Sequence, residues 1–108
     1  MELERAIEKR MGRELRAMGC LWYKFTSPGA RGVPDRILID PMGRLVFIEL
    51  KTDVGQLAPT QIRQIERLRT WGQTVYVIRG EEEAARFLER MRKKYGVRKS
   101  YRKAGDLR

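Results

Sequence analysis

Apolar residues at Leu3, Ile7, Met11, Leu15 and Met18 recur every three or four positions. That is the spacing of one helical face, and Gly19 ends the run as a C-terminal glycine does, so residues 2–18 read as a first helix turned toward a core. Residues 21–25 are short and aromatic-rich, a strand signal, and Thr26-Ser27-Pro28-Gly29-Ala30-Arg31-Gly32 reads as a loop. Two apolar runs, 37–39 and 45–50, flank Asp40-Pro41-Met42-Gly43. Pro and Gly form turns, so this stretch predicts a β-hairpin. Pro59 suits the first position of a second helix, which carries Ile62, Ile65 and Leu68 on one face and stops at Gly72. Residues 73–79 hold the near-continuous apolar run Val75-Tyr76-Val77-Ile78, expected of a strand interior to a sheet. A strand, a helix and a strand in succession predict a right-handed crossover with parallel pairing. Glu81-Glu82-Glu83 opens a last helix with Ala84, Phe87, Leu88 and Met91 as its buried side. The predicted fold is α/β, a mixed β-sheet flanked by helices in the order α-β-β-β-α-β-α.

The hairpin also carries candidate chemistry. Side chains alternate along a strand, which places Leu45, Phe47, Glu49 and Lys51 on one face and Val46, Ile48 and Leu50 on the other. If Ile39 pairs with Leu45, Asp35 falls opposite Glu49 on that first face. Two carboxylates and an ammonium then meet at the open end of the hairpin. Two hard oxygen ligands a few ångströms apart suit Mg²⁺ or Mn²⁺ with positions left for water and a phosphate oxygen. Lys51 is placed to orient or help deprotonate an attacking water and to offset charge on the phosphate. Glu-x-Lys is also common as a plain surface ion pair, but Pro34-Asp35 before the preceding strand weighs against that reading. The loop before Asp35 holds small residues, Ser27 and Gly32 among them, that let a phosphate approach the backbone, with Lys24 and Arg31 as counter-charges; a plain connection stays open as the alternative. Gln61, in the first turn of the second helix, is either a solvated helix former or a donor toward water or phosphate at the site. Arg63, Arg67 and Arg69 make that helix's outer face basic, either solvated or phosphate-tracking.

Charge narrows the choice of partner. The 108 residues hold 24 Lys and Arg against 14 Asp and Glu, a net charge of +10, which points to nucleic acid first and an anionic membrane second. No run approaches the roughly 18 apolar residues of a membrane span, and the N-terminus opens with charges, so a cytoplasmic protein is expected. There is no histidine and a single cysteine, Cys20. Within one chain this excludes Cys/His zinc sites, iron-sulfur clusters and His-dependent catalysis, and leaves oxygen as the ligand for any metal. Residues 90–108 carry a net +8 and residues 1–89 only +2. The chain therefore divides into a domain, 1–89, and a basic C-terminal extension, 90–108. Lys93, Lys94, Arg98 and Lys99 are its candidate phosphate contacts, with Tyr95 and Tyr101 available to stack on bases; a solubilising tail is the alternative. Trp22, Trp71 and Met42 are apolar residues that a small core need not absorb, and they are candidates for an interface patch.

Pro34-Asp35 followed by Glu49-x-Lys51 resembles the PD-(D/E)xK nuclease signature. Lys24-Phe25-Thr26-Ser27-Pro28-Gly29 with Gly32-Val33-Pro34-Asp35 resembles, more specifically, the virus-type replication-repair nuclease (VRR-NUC) domain, and the likeness continues through Leu57-x-Pro59-x-Gln61 and Val75-Tyr76-Val77-Ile78. It covers about residues 3–89. The resemblance implies a restriction-endonuclease-like core in which Asp35, Glu49, Lys51 and Gln61 match active-site positions. A further family glutamate lies on the first helix, where Glu8 is the nearest match and Glu2, Glu4 and Glu14 are alternatives. Mg²⁺ or Mn²⁺ would be held by Asp35, Glu49 and the Leu50 backbone carbonyl. Short stand-alone members of phage, prophage or bacterial origin resemble homodimeric endonucleases that cut branched DNA such as four-way (Holliday) junctions in DNA repair. Two rivals stand beside this expectation: a non-catalytic nucleic-acid-binding module, and a nuclease with an RNA or sequence-specific substrate. A pure phosphate binder gains nothing from two carboxylates beside its site, which repel the ligand unless a metal intervenes.

Overall fold

Asp40 sets the hairpin. Its carboxylate accepts hydrogen bonds from the backbone N–H groups of Met42 and Arg44, both at 2.9 Å. Gly43 donates to the Asp40 carbonyl at 2.8 Å from a left-handed conformation, φ +86°, that glycine adopts at little cost. The turn fixes the register, and Ile39 pairs with Leu45 as the alternation required.

The computed structural model describes residues 2–96, so Arg98, Lys99 and Tyr101 of the basic extension lie outside it. Its elements follow the expected order: α1 (Glu2–Ala17), β1 (Leu21–Lys24), β2 (Arg36–Ile39), β3 (Leu45–Lys51), α2 (Pro59–Thr70), β4 (Thr74–Arg79) and α3 (Gly80–Tyr95). The sheet order is β1-β2-β3-β4, antiparallel except for the parallel β3-β4 pair. The α/β architecture is the predicted one. Gly19 closes α1 in a Schellman motif, with Cys20 N–H bonded to the Leu15 carbonyl and Gly19 N–H to that of Arg16. Gly72 closes α2 in the same way, through Gln73 to Leu68 and Gly72 to Arg69.

One face of the sheet, bearing Trp22, Leu38, Val46, Ile48, Leu50 and Ile78, packs against the apolar stripes of α1 and α3 to form the core. The other face is covered only in part. Helix α2 packs on β4, burying Ile65 and Val75, while Leu21, Tyr23 and Leu45 stay exposed over β1 and β3. Ile62, expected on the buried side of α2, is exposed, because the helix packs chiefly on the edge strand β4 and leaves this position facing solvent.

Two further expectations change. β4 is an edge strand, not an interior one; its apolar run reflects helices on both faces, with Val75 buried on the α2 side and Tyr76 meeting Phe87 of α3 edge to face. Trp22 is buried, at 6% exposure, and so is core rather than interface, whereas Trp71 and Met42 are exposed. Helix α3 crosses position 89 without a break: Arg92 pairs with Glu14, and Tyr95 O–H donates to Asp40 at 2.8 Å. Lys93 and Lys94 are therefore residues of a packed helix. Among the described residues no helix is long and apolar enough to cross a membrane.

Gly12, in the middle of α1, is explained by Trp22. A Cβ there would lie 2.9 Å from the indole Cδ1. Alanine would gain about 1 kcal/mol of helix propensity, but overpacking a buried indole costs roughly 1–3 kcal/mol. Gly12→Ala is expected to lower stability by about 1 kcal/mol in denaturant unfolding; a stabilised variant would show that the indole moves aside freely.

Candidate active site

The β2-β3 register carries Asp35, one residue before the ladder begins at Arg36, to the level of Glu49. Glu49 belongs to the face that α2 partly covers, and at 6% exposure it is nearly buried. A carboxylate there must be paired or neutralised. Gln61 Nε2 donates to Glu49 Oε2 at 3.1 Å, and Lys51 Nζ lies 3.9 Å from the same oxygen. These contacts do not match the cost of desolvation. Burial first, then the negative charge of Asp35, pushes the Glu49 carboxyl up to about 7; Glu4 adds to the push, while Lys51 and Arg36 oppose it. Asp35 contrasts with it, its side chain 55% exposed against 8% for Glu49. The cluster thus pairs one solvent-facing carboxylate with one buried carboxyl that is short of positive charge.

Each member is placed by local chemistry. Pro34, fully buried, anchors the chain before Asp35, and Phe25 N–H donates to the Asp35 carbonyl at 2.8 Å, which closes the loop between β1 and β2. Gln61 is the third residue of α2, and its side-chain oxygen accepts from Ala58 N–H at 2.8 Å, so one carboxamide caps the helix and reaches Glu49. Gly32 brings loop and helix together: it has φ +85°, and a Cβ there would stand 2.5 Å from the Thr60 carbonyl group and 2.8 Å from Gln61 N. The close approach at Gly32 is therefore by the backbone of α2. The lack of a side chain at Gly32 thus makes room for α2, whatever the backbone offers a phosphate, and the space beside Gly29 is open. Gly32→Ala is expected to cost more than about 2 kcal/mol, from left-handed strain plus the clash, and to reduce activity by parting Asp35 from Gln61. Equal melting temperature and turnover in this variant would contradict it.

Glu8 is brought to the same end of the sheet, but not to Glu49. It forms an ion pair with Arg36, which also lies 3.3 Å from the Asp35 carboxylate. Glu4, one turn earlier, is within electrostatic reach of Glu49. Arg36 itself is the residue that sequence reasoning missed. Its parity with Leu38 put an arginine on the core face, where a charge must find a partner, and that signal was available.

The expected phosphate contacts split into two groups. Lys24, at the end of β1 opposite Arg36, and Arg31 in the following loop are exposed at the Asp35 end of the sheet; Ser27 is half-buried in that loop, and Arg63 is exposed on α2 one turn from the Gln61 end. Lys93 and Lys94 are exposed at the end of α3 that Tyr95 ties to the hairpin turn. The length of β3, roughly 20 Å at about 3.3 Å per residue, separates the two groups. A concavity of about 470 Å³ lined by Ile7, Thr52, Asp53, Arg79 and Arg86 among others includes none of Asp35, Glu49, Lys51 or Gln61.

Residues 1–82 match the VRR-NUC domain family. The chain is 40% identical over 79 residues to the protein named "Putative nuclease p44" of Acyrthosiphon pisum secondary endosymbiont phage 1, a match that spans 73% of this chain and 85% of the relative. It also resembles a solved structure described as a VRR_NUC domain, with a TM-score of 0.74 at 30% identity, covering 80% of this chain and 94% of that one.

Proposed function

Since the chain belongs to the VRR-NUC domain family and is a nuclease, we propose that it is a DNA endonuclease that uses Mg²⁺ or Mn²⁺ and acts as a homodimer on branched DNA such as four-way junctions. The observation that carries the reading is Glu49: a nearly buried carboxyl raised to about 7, beside Asp35, Lys51 and Gln61. A divalent cation would relieve the shortage of positive charge at that point. The donors present are oxygens, and although no three His, Cys, Asp or Glu side chains form a cage among the described residues, Mg²⁺ is commonly held by one or two carboxylates with water and substrate phosphate completing its shell. Asp35, Glu49 and the Leu50 carbonyl would hold it. When bound, such an ion supplies Lewis-acid polarisation of a phosphoryl oxygen and makes water a stronger acid. Lys51 would orient the attacking water and offset charge developing on the phosphate. Gln61 would fix the Glu49 carboxyl, and Lys24 and Arg31 would hold flanking phosphates.

The dimer reading is supported by the sheet face that α2 leaves uncovered, where Leu21, Tyr23 and Leu45 are exposed, and by exposed Trp71 and Met42. Two symmetric sites would suit a substrate with two equivalent strands. The test is a panel of labelled linear, flapped and four-way DNAs, with matched RNA, incubated with the chain and Mg²⁺. Preferential cutting of the four-way DNA is expected. Cutting of RNA alone, or of linear DNA at one sequence, would assign a different substrate, and binding without cutting would favour the non-catalytic module. Sedimentation equilibrium checks the dimer, which a monomer at all concentrations would refute.

A further inference from the structure

Arg36 and Glu49 are the buried charged side chains among the described residues. Arg36 opens β2 and alternates toward α1, at 8% exposure. Its guanidinium is shared between two elements: Nη2 pairs with Glu8 of α1, and Nη1 donates to the Asp35 carbonyl oxygen at 3.0 Å and lies 3.3 Å from Asp35 Oδ2. Nε is buried without a hydrogen-bond partner. A buried arginine that leaves a donor unsatisfied is costly for stability alone, and a pair of apolar residues would often serve the fold as well. What it provides is geometry. The planar fork grips both the main chain and the side chain of Asp35, and Glu8 holds the fork against the first helix. Asp35 is otherwise a half-exposed side chain at the end of a loop, with rotamer freedom to lose.

We propose that Arg36 is a positioning residue for the nuclease reaction: anchored by Glu8, it presets Asp35 to take a divalent cation, and Glu8 acts on the site through Arg36. The inference rests on the reading of Asp35 as a cation ligand. It also separates position from charge. If Arg36 contributed charge alone, removing it would strengthen cation binding, because a positive neighbour repels the ion. If it positions Asp35, replacing the fork by a point charge weakens binding. Arg36→Lys keeps the charge and loses the fork.

The experiment measures Mn²⁺ binding to the whole chain by titration calorimetry, and kcat and KM on the four-way DNA. Arg36→Lys is expected to lose about 10- to 100-fold in Mn²⁺ affinity or kcat, the usual penalty for a group that orients a metal ligand, with KM for DNA little changed. Glu8→Gln leaves Arg36 in place and should produce a smaller loss of the same kind, and it carries the test if Arg36→Lys fails to fold. The double variant should be no worse than Arg36→Lys, since both act along one path. Unchanged Mn²⁺ affinity and kcat in Arg36→Lys, tighter Mn²⁺ binding, or fully additive losses in the double variant would overturn the inference. Asp35→Asn serves as control: if it loses Mn²⁺ and turnover while Arg36→Lys keeps both, only the positioning role fails; if it keeps both, the reading of the site fails with it.

Discussion

Asp35→Asn is expected to cut DNA at least about 10³-fold more slowly than the unmutated chain, and Lys51→Ala about 10²- to 10³-fold more slowly, with DNA affinity close to unchanged in each. The two losses have different origins. Asp35 is the exposed carboxylate of the cluster, so its substitution would remove a proposed cation ligand, while Arg36 keeps its ion pair with Glu8 and its hydrogen bond to the Asp35 carbonyl. Lys51 lies 3.9 Å from Glu49 and, in the proposed mechanism, would supply positive charge where the phosphate gains negative charge. Chelation by EDTA should stop cleavage in the unmutated chain as completely as Asp35→Asn does. Single-turnover cleavage with a filter-binding control checks all three. Wild-type turnover in either variant, or robust cutting in chelator, would remove the mechanism.

The metal-free protein should lose stability as pH rises from about 5 to 8. Glu49 is the cause: its carboxyl titrates near 7 in the folded chain against 4.5 ordinarily, burial being the first reason and Asp35 the second. A raised folded value means that folding favours the protonated form. That contribution is full below about 4.5 and is lost as pH climbs through 7, about 2–3 kcal/mol in all. Asp40 and Glu14 shift the other way. Burial pushes Asp40 up, but hydrogen bonds from Arg44 N–H, Tyr95 O–H and Met42 N–H outweigh it; the Arg10 hydrogen bond chiefly holds Glu14 down. Their contributions fail only on acidification, outside this window. Urea unfolding in EDTA at pH 5 and pH 8 measures the difference, which Glu49→Gln should largely abolish. An equal difference in wild type and Glu49→Gln would place the linkage elsewhere. Added Mg²⁺ should restore part of the loss at pH 8.

The hairpin was legible because two independent signals agree on it. Turn residues set the pairing of Ile39 with Leu45, and alternation then carried Asp35 to Glu49 and put Val46, Ile48 and Leu50 in the core. Helix ends were legible through Gly19 and Gly72, whose left-handed conformations a pattern of apolar residues ending in glycine announces. β4 was harder. An apolar run reports burial on both faces, and helices on both sides produce that as well as neighbouring strands do, so the run could not place the strand within the sheet. The two tryptophans illustrate the same limit: Trp22 is buried where Gly12 opens a space for it on another element, while Trp71, just beyond α2, stays exposed among the described residues. Around the site, Gln61 and Lys51 came to Glu49 as expected. Arg36 is less legible because arginine at a strand start is ordinarily solvated, and only its alternation with Leu38 marks it as inward-facing.

Gln61 joins the start of α2 to the site by a single carboxamide, its oxygen on Ala58 N–H and its nitrogen on Glu49. N–H groups at the start of a helix lack the partners that protect the rest, so the Ala58 amide hydrogen owes its shelter to Gln61. Any ligand that repositions the Glu49 carboxyl also moves the group that shields this amide. If Glu49 takes a cation as proposed, exchange of this amide with deuterated solvent would report occupancy. Read by NMR without substrate turnover, the rate at one backbone position distinguishes a filled site from an empty one.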